Sequence, residues 1–285
     1  MSGARRLRRT AWLCLAPALA WMLLWLGLPL VEALAASFSG AGGWGRLLEG
    51  GEFARSLGFT LSFSFVSVGL EMLAGLALGL ALARRLPLAW LWRSCLLAPW
   101  AVPSVVSAKA WAWLFNYQFG LVNLLLVRSG LASQPVNWFA YRSTAWAALL
   151  CVELWKTVPL VAILLLAGRQ QIPQSLYEAA ALDGASAWKA FRDVTLPLLR
   201  PYLVVAGLFR MVDALRIFDS VWVLTGGGPA GSTQSLSYYA YTLYFHDSNF
   251  VAGSRVSLVS ALLILALAGL IAWRGRFGAD LKEGG

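Results

Sequence analysis

Histidine is almost absent from this chain of 285 residues: His246 stands alone. A metal centre or acid–base dyad built on paired imidazoles is therefore excluded. Cysteine is scarce too. Cys14, Cys95 and Cys151 each sit inside an apolar run, which suits small buried hydrophobes and not a disulfide frame or metal cluster. Charge is thin throughout. Asp, Glu, Lys and Arg make up 13% of the residues, against roughly 25% in an ordinary soluble domain. Such a chain does not solvate itself as a disordered segment would, and its arginines are spread along the sequence and not clustered on one face as a nucleic-acid footprint requires.

Apolar surface takes the place of charge. Hydrophobic residues reach 59%, with 15 tryptophans among them, and mean hydropathy is +0.68. A soluble domain of this size could not hide that much, so the chain is expected to live in a membrane. A spanning helix needs about 20 mainly apolar residues. Six stretches meet that need, at 11–36, 57–83, 91–115, 144–168, 202–224 and 255–273. The fold expected is all-α, with six transmembrane helices. The first follows Arg5-Arg6-Leu7-Arg8-Arg9 and could be a signal peptide. Its apolar run is too long for that and shows no small-residue cleavage pattern, so it reads as a retained span.

The net charge of +10 then has a membrane meaning. With the N-terminus inside, inner segments hold fourteen Lys and Arg and outer segments five, while Lys109, Lys156, Arg210 and Arg216 fall within spans. That bias places both termini in the cytoplasm. The organisation expected is a tail at 1–10, a first span at 11–36, a five-helix core at 57–273 and a tail at 274–285. The outer segment 225–254 opens with Thr225-Gly226-Gly227-Gly228-Pro229, which must break a helix.

The inner loop 169–201 is the most informative. Its stretch 172–201 reads IPQSLYEAAALDGASAWKAFRDVTLPLLRP. Ser175 could cap a helix, with Glu178 three residues on as a capping box requires. Gly184 offers a turn, a second helical stretch follows around 187–194, and Pro197 restarts the chain. A short exposed helix with one acid suits docking into a partner's groove. An ordinary interfacial amphipathic loop fits the residues as well.

Here a resemblance enters. Glu178-Ala179-Ala180, Asp183-Gly184-Ala185, Phe191 and Leu196-Pro197 resemble the EAA loop of permease subunits in binding-protein-dependent ATP-binding-cassette importers. Pro99-Trp100-Ala101-Val102-Pro103, Trp113-Leu114-Phe115-Asn116 and Gly120 resemble the carbohydrate-uptake branch. Phe218-Asp219 with Leu224-Thr225-Gly226-Gly227-Gly228-Pro229 resembles its maltose-type permease. One departure is Phe59-Thr60, where Asn-Thr is usual. The resemblance implies the MetI-like type I importer fold, with the loop as coupling helix between helices 4 and 5. It implies as partners a second and different permease, two ATPase subunits, an extracytoplasmic solute-binding protein, a sugar and membrane lipid. Glu178, Ala179, Ala180, Asp183, Gly184, Ala185, Phe191 and Pro197 would couple to the ATPase. No cofactor is expected in this chain: ATP and Mg would belong to the ATPase. The nearest phosphate-loop decoy, 226–233, has Ser232 where lysine is required.

Ionisable residues inside spans are costly, and so are usually paired or functional. Glu153 and Lys156 stand three apart, beside Trp155 and Thr157. Arg210, Asp213, Arg216 and Asp219 also stand three apart, as one drifting helical stripe that could pair along the helix. The resemblance puts the solute pathway on these two spans, with Trp155 matching the pocket tryptophan. Glu153, Thr157, Arg210 and Ala214 fall on other matching positions with different residue types. Structural ion pairs are the competing reading, and pairing is preferred for Glu71 and Lys109. Arg210 and Arg216 also leave a phosphorylated polyol open as solute. An ion-coupled carrier using Glu71, Glu153 or Asp213 is the alternative mechanism. Gly75 and Gly79 form a GxxxG on the second span, which suggests close helix packing.

Overall fold

The computed structural model describes residues 2–39, 44–84 and 87–283, with side chains described except at 2–11, 46, 272 and 274–283. Arg85 and the side chains of Arg5, Arg6, Arg8, Arg9, Arg46, Arg274, Arg276 and Lys282, all used in the charge count, lie outside that set. Every regular element among the described residues is helical. In chain order these are α1 (Ser2–Met22), α2 (Leu28–Phe38), α3 (Gly45–Glu49), α4 (Glu52–Leu82), α5 (Ala89–Ala101), α6 (Ser104–Leu114) and α7 (Leu121–Arg128). Then come α8 (Arg142–Gln170), α9 (Gln174–Leu182), α10 (Ala187–Ala190), α11 (Leu196–Ala214), α12 (Leu236–Phe245) and α13 (Phe250–Glu283). π-helical turns join α1 to α2 and α10 to α11.

Among the described residues, five helical runs are long and apolar enough to cross a bilayer: Trp12–Phe38, Glu52–Leu82, Arg142–Gln170, Ala187–Ala214 and Phe250–Ile271. The expected third span, 91–115, is not one helix. It is α5 and α6, parted at Val102-Pro103. Proline lacks an N–H and pushes the residue before it out of helical conformation, and Val102 sits at ψ 132°. The expected fifth span, 202–224, is also displaced. Its helix begins upstream and stops at Ala214, where Arg216 and Ile217 donate short backbone bonds to Asp213 and Ala214. The Ser235 hydroxyl then donates to the Ile217 carbonyl at 2.7 Å, so the interrupted backbone stays satisfied without a helix. The chain turns and re-forms one π-helical turn over Val221–Thr225.

The scaffold is built on close approach of α4 and α8. A Cβ added to Gly75 would lie 2.4 Å from Val161 Cγ1, and one on Gly79 would lie 2.8 Å from the Ala162 carbonyl oxygen. Only glycine admits that spacing, so the GxxxG is a packing device here. Gly168 plays the same part between α8 and α11, where a Cβ would meet the Tyr202 ring at 2.4 Å. Around this frame Phe59, Phe63, Leu149, Val152 and Val221 form one core, and Val68, Met211 and Leu215 another.

The first apolar helix stays at the margin, exposed along its hydrophobic length. Its end is tied down by Arg255 of α13, which donates to the carbonyls of Ser37 at 3.0 Å and Ser39 at 2.8 Å. Those are the carbonyls a helix C-terminus leaves unpaired. The three cysteines, expected to be buried, are exposed. They lie on apolar outer faces, where a thiol meets hydrocarbon as readily as it meets a protein core.

Candidate functional site

Two regions gather the chemistry. The first is a recess where α8, the end of α11 and the start of α6 meet. Spacing of three and four residues puts Glu153, Lys156 and Thr157 on one face of α8. Asp213 comes from the last turn of α11. Arg216, Phe218, Asp219 and Ser220 come from the turn that follows, and Ser104 from the first residue of α6.

Its hydrogen bonds are unlike an ion-pair zipper. Glu153 and Lys156 form no salt bridge with each other. Instead Ser220 Oγ donates to Glu153 Oε1 at 2.5 Å. Lys156 Nζ donates to the Val102 carbonyl at 2.7 Å, the very carbonyl the Pro103 break releases. Thr157 Oγ1 donates to the Glu153 carbonyl at 2.6 Å. Behind the wall lies a buried guanidinium. Arg210 Nε donates to Glu71 Oε2 at 2.7 Å and Nη2 to Glu71 Oε1 at 3.3 Å, while Nη1 pairs with Asp213. Arg210 and Glu71 are fully enclosed, whereas the Asp213 side chain remains 60% exposed.

The proposed pathway residues therefore divide. Glu153, Lys156, Thr157, Asp213 and Arg216 line the recess. Arg210 is buried behind it, and Ala214 is packed against Val68 and Leu215. Trp155 is half exposed and meets Trp111 edge to face at 5.7 Å. Because the helix ends at Ala214, the four charges are not one stripe. Arg210 pairs with Asp213, but Arg216 and Asp219 make no salt bridge among the described residues. Glu71 is paired across spans as preferred. Lys109 is not: it is exposed on α6 without a salt bridge among the described residues. Sequence reasoning missed Ser104, Ser220 and the Val102 carbonyl. Pro103 was the available signal, since broken helices deliver backbone polar groups into transport sites.

The recess holds about 90 Å³. Small-molecule pockets run from about 300 Å³ upward. One chain thus presents a wall, not an enclosure. Aromatic rings continue outward from it: Phe218 stacks on Trp222 at 6.1 Å and contacts Tyr241 at 5.3 Å.

The second region is the loop leaving α8. α9 begins at Gln174 with Pro173 at its cap, and no side chain caps it. Ser175 is inside the helix, so the expected capping box is not formed. Pro173 takes the cap position, and Ser175 therefore falls inside the helix, where its hydroxyl is not placed to cap the first turn. Gly184 turns the chain at φ +72°, a conformation that favours glycine. Ser186 Oγ then caps α10 by accepting from the Lys189 N–H at 3.3 Å. Pro197 does not restart the chain. A π-helical turn over Phe191–Thr195 routes the Leu196 N–H to the Phe191 carbonyl, and the helix runs on through the proline. Tyr177 anchors the loop to the bundle. Its ring lies under Arg169 at 4.1 Å, and its hydroxyl meets Thr195 Oγ1 at 2.9 Å. What the anchor holds out is apolar: Leu182 is 91% and Trp188 69% exposed. Glu178, Ala179 and Asp183 are exposed beside them, while Ala180 and Ala185 are half-buried.

Residues 72–275 match the family described as binding-protein-dependent transport system inner membrane component. That segment contains both regions, and the chain belongs to this family. It is a permease subunit of an ATP-binding-cassette importer, a transport component and not an enzyme. The trehalose/maltose transport system permease protein MalF of Thermococcus litoralis is 44% identical over 243 residues, covering 85% of this chain and 81% of that one. The trehalose transport system permease protein SugA of Mycobacterium tuberculosis is 35% identical over 266 residues, covering 88% and 84%. The fold is similar to a chain of a bacterial alginate ABC transporter solved in complex with an alginate pentasaccharide-bound periplasmic protein, at a TM-score of 0.84 and 21% identity over 95% of this chain and 96% of that one.

Proposed function

We infer that this chain is one half of the membrane pathway of a sugar importer, and that a neutral di- or oligosaccharide passes along the recess. The observation that carries this reading is the recess itself. It presents carboxylates at Glu153, Asp213 and Asp219, an ammonium at Lys156, hydroxyls at Ser104 and Thr157 and a ring at Phe218. A polyol needs that mixture, because each hydroxyl both gives and accepts a hydrogen bond. The names of the relatives, which are permeases for trehalose and maltose, favour the same class.

A wall of this size calls for a second permease to complete the enclosure. The exposed loop calls for a soluble partner that buries Leu182 and Trp188. That partner is an ATPase subunit carrying ATP and Mg, with Glu178 paired to a basic residue in its cleft. Closure of two ATPase subunits would move the loop, the Tyr177 anchor would transmit that motion to α8 and α11, and the recess would alternate between the two sides. The drive exists only if the ATP-bound ATPase prefers one permease state. An extracytoplasmic binding protein delivers the solute to the side bearing the 225–254 segment, with both termini in the cytoplasm.

The test is uptake of radiolabelled maltose and trehalose by proteoliposomes holding the purified complex and its binding protein. Uptake that needs both internal ATP and the binding protein supports the reading. Uptake driven by an ion gradient without ATP replaces it with the ion-coupled carrier.

A further inference from the structure

Away from the recess, a cleft of about 230 Å³ lies between α5 and α8, lined by Leu97, Ile163, Leu166 and Ala167 with Arg93, Ser94 and Gln170 at its polar end. Arg93 Nε is buried there and finds no acceptor among the described residues. A buried donor without a partner is costly and asks for an explanation. The cleft offers none of its own, since no Asp or Glu lines it. An anion suits that donor best, because it accepts the hydrogen bond and matches the guanidinium charge.

Position identifies the anion. Arg93 is one turn into α5, roughly 6 Å along its axis, and Gln170 is the last residue of α8 before the coupling loop. The polar end therefore sits where these helices leave the bilayer. Trp90 and Trp92 stand exposed beside it, as indoles do at the membrane interface. The aliphatic wall extends from this polar end towards the hydrocarbon. A guanidinium matches a phosphodiester in charge and fork geometry. A free phosphate would leave the apolar wall uncovered, whereas an acyl chain covers it.

We propose that this cleft binds one anionic phospholipid of the leaflet next to the coupling loop. Arg93 holds its phosphodiester, with the Ser94 hydroxyl and Gln170 amide as further donors, and an acyl chain lies along Leu97, Ile163 and Leu166. The cytoplasmic identity of that leaflet rests on the orientation proposed above, while the site itself does not. The lipid would pack between α5 and α8 at the base of the loop, where it can influence coupling.

The complete transporter, purified with its partner subunits, is reconstituted in phosphatidylcholine vesicles containing phosphatidylglycerol and then extracted in mild detergent. Phosphatidylglycerol retained per complex is counted by mass spectrometry, and assembly is checked by size exclusion. Arg93→Gln should lower retention about tenfold, the loss of one charge-assisted contact. Ala167→Trp, which fills the cleft from an exposed position, should do the same with the arginine intact. Arg128→Gln, on α7, should change nothing. The proposal is overturned if Arg93→Gln retains as much lipid as the parent, or loses no more than Arg128→Gln. Displacement of the lipid by glycerol phosphate as readily as by phosphatidylglycerol would make this a phosphate site and overturn it too. So would a cross-link from Arg93→Cys to the second permease, because a protein would then occupy the cleft. If Arg93→Gln fails to assemble, the Ala167→Trp result decides. Each outcome is independent of whether sugar is transported.

Discussion

Replacing Glu71 by leucine should be among the most damaging single changes in the bundle. It removes the carboxylate that receives two bonds from Arg210, at 2.7 and 3.3 Å, and leaves a guanidinium enclosed in the bundle. Breaking a buried pair by removing one partner costs about 3–5 kcal/mol. Arg210 keeps Asp213, so the lower end, about 3 kcal/mol, is expected, or roughly 6–12 °C of melting temperature for a domain of this size. Arg210→Leu should also destabilise, because it leaves the enclosed Glu71 carboxylate without its partner, while Asp213 is exposed enough to be solvated. The double variant Glu71→Leu with Arg210→Leu should be more stable than Glu71→Leu alone, because no unpaired cation remains. The assay is thermal unfolding of the detergent-solubilised complex followed by size-exclusion fluorescence, together with uptake. If the pair is structural, the double variant regains stability and uptake together. If Arg210 acts on the solute, stability returns and uptake does not. The reasoning is refuted if Glu71→Leu melts with the parent, or if the double variant is no more stable than that single.

Glu178→Lys should abolish uptake and ATPase recovery in pull-downs while the chain stays in the membrane, since the loop is exposed and packs on no core; normal uptake would remove the docking role. Gly75→Val should cost about 1–3 kcal/mol by overpacking against Val161, with partial recovery on adding Val161→Ala, read as melting temperature and yield. Lys156→Met leaves the Val102 carbonyl without its side-chain donor and should cost about 1–2 kcal/mol, with a larger effect on uptake than on melting if the α5–α6 break moves during transport. Trp155→Ala removes a half-exposed ring and should leave melting nearly unchanged; uptake lowered through KM would mark a solute contact, and unchanged uptake would remove Trp155 from the pathway.

Part of the 172–201 loop was legible in the sequence, because its signals are local: Gly184 marked the turn and a second helical stretch was expected after it. Pro173 and Ser186, which sit at the caps of the two short helices, were not read as signals, and Pro197 was read as a restart that the π-helical turn before it removes. Pro103 and the 214–218 break are also local, yet hydropathy averages across them, so 91–115 and 202–224 read as unbroken spans. The expected capping box failed for the opposite reason: Ser175 matched a pattern whose place Pro173 had already taken.

Apolar length determined by itself that this is a multi-span membrane chain, since each span needs its own run of about 20 mainly apolar residues. The glycines at 75 and 79 carried the approach of two helices in advance, since no other residue tolerates it. Only the tertiary structure decided the fate of the intramembrane charges. Glu71 and Arg210 are separated by 139 positions, and nothing in their local sequence selects that partner over Asp213 or Glu153. The choice is made by where α4 and α11 pack, because a buried charge takes whichever counter-charge the folded interior brings within hydrogen-bonding reach. The same packing turned Lys156 from an ion-pair candidate into the donor for a broken helix, and left a recess lined by groups from three separate segments.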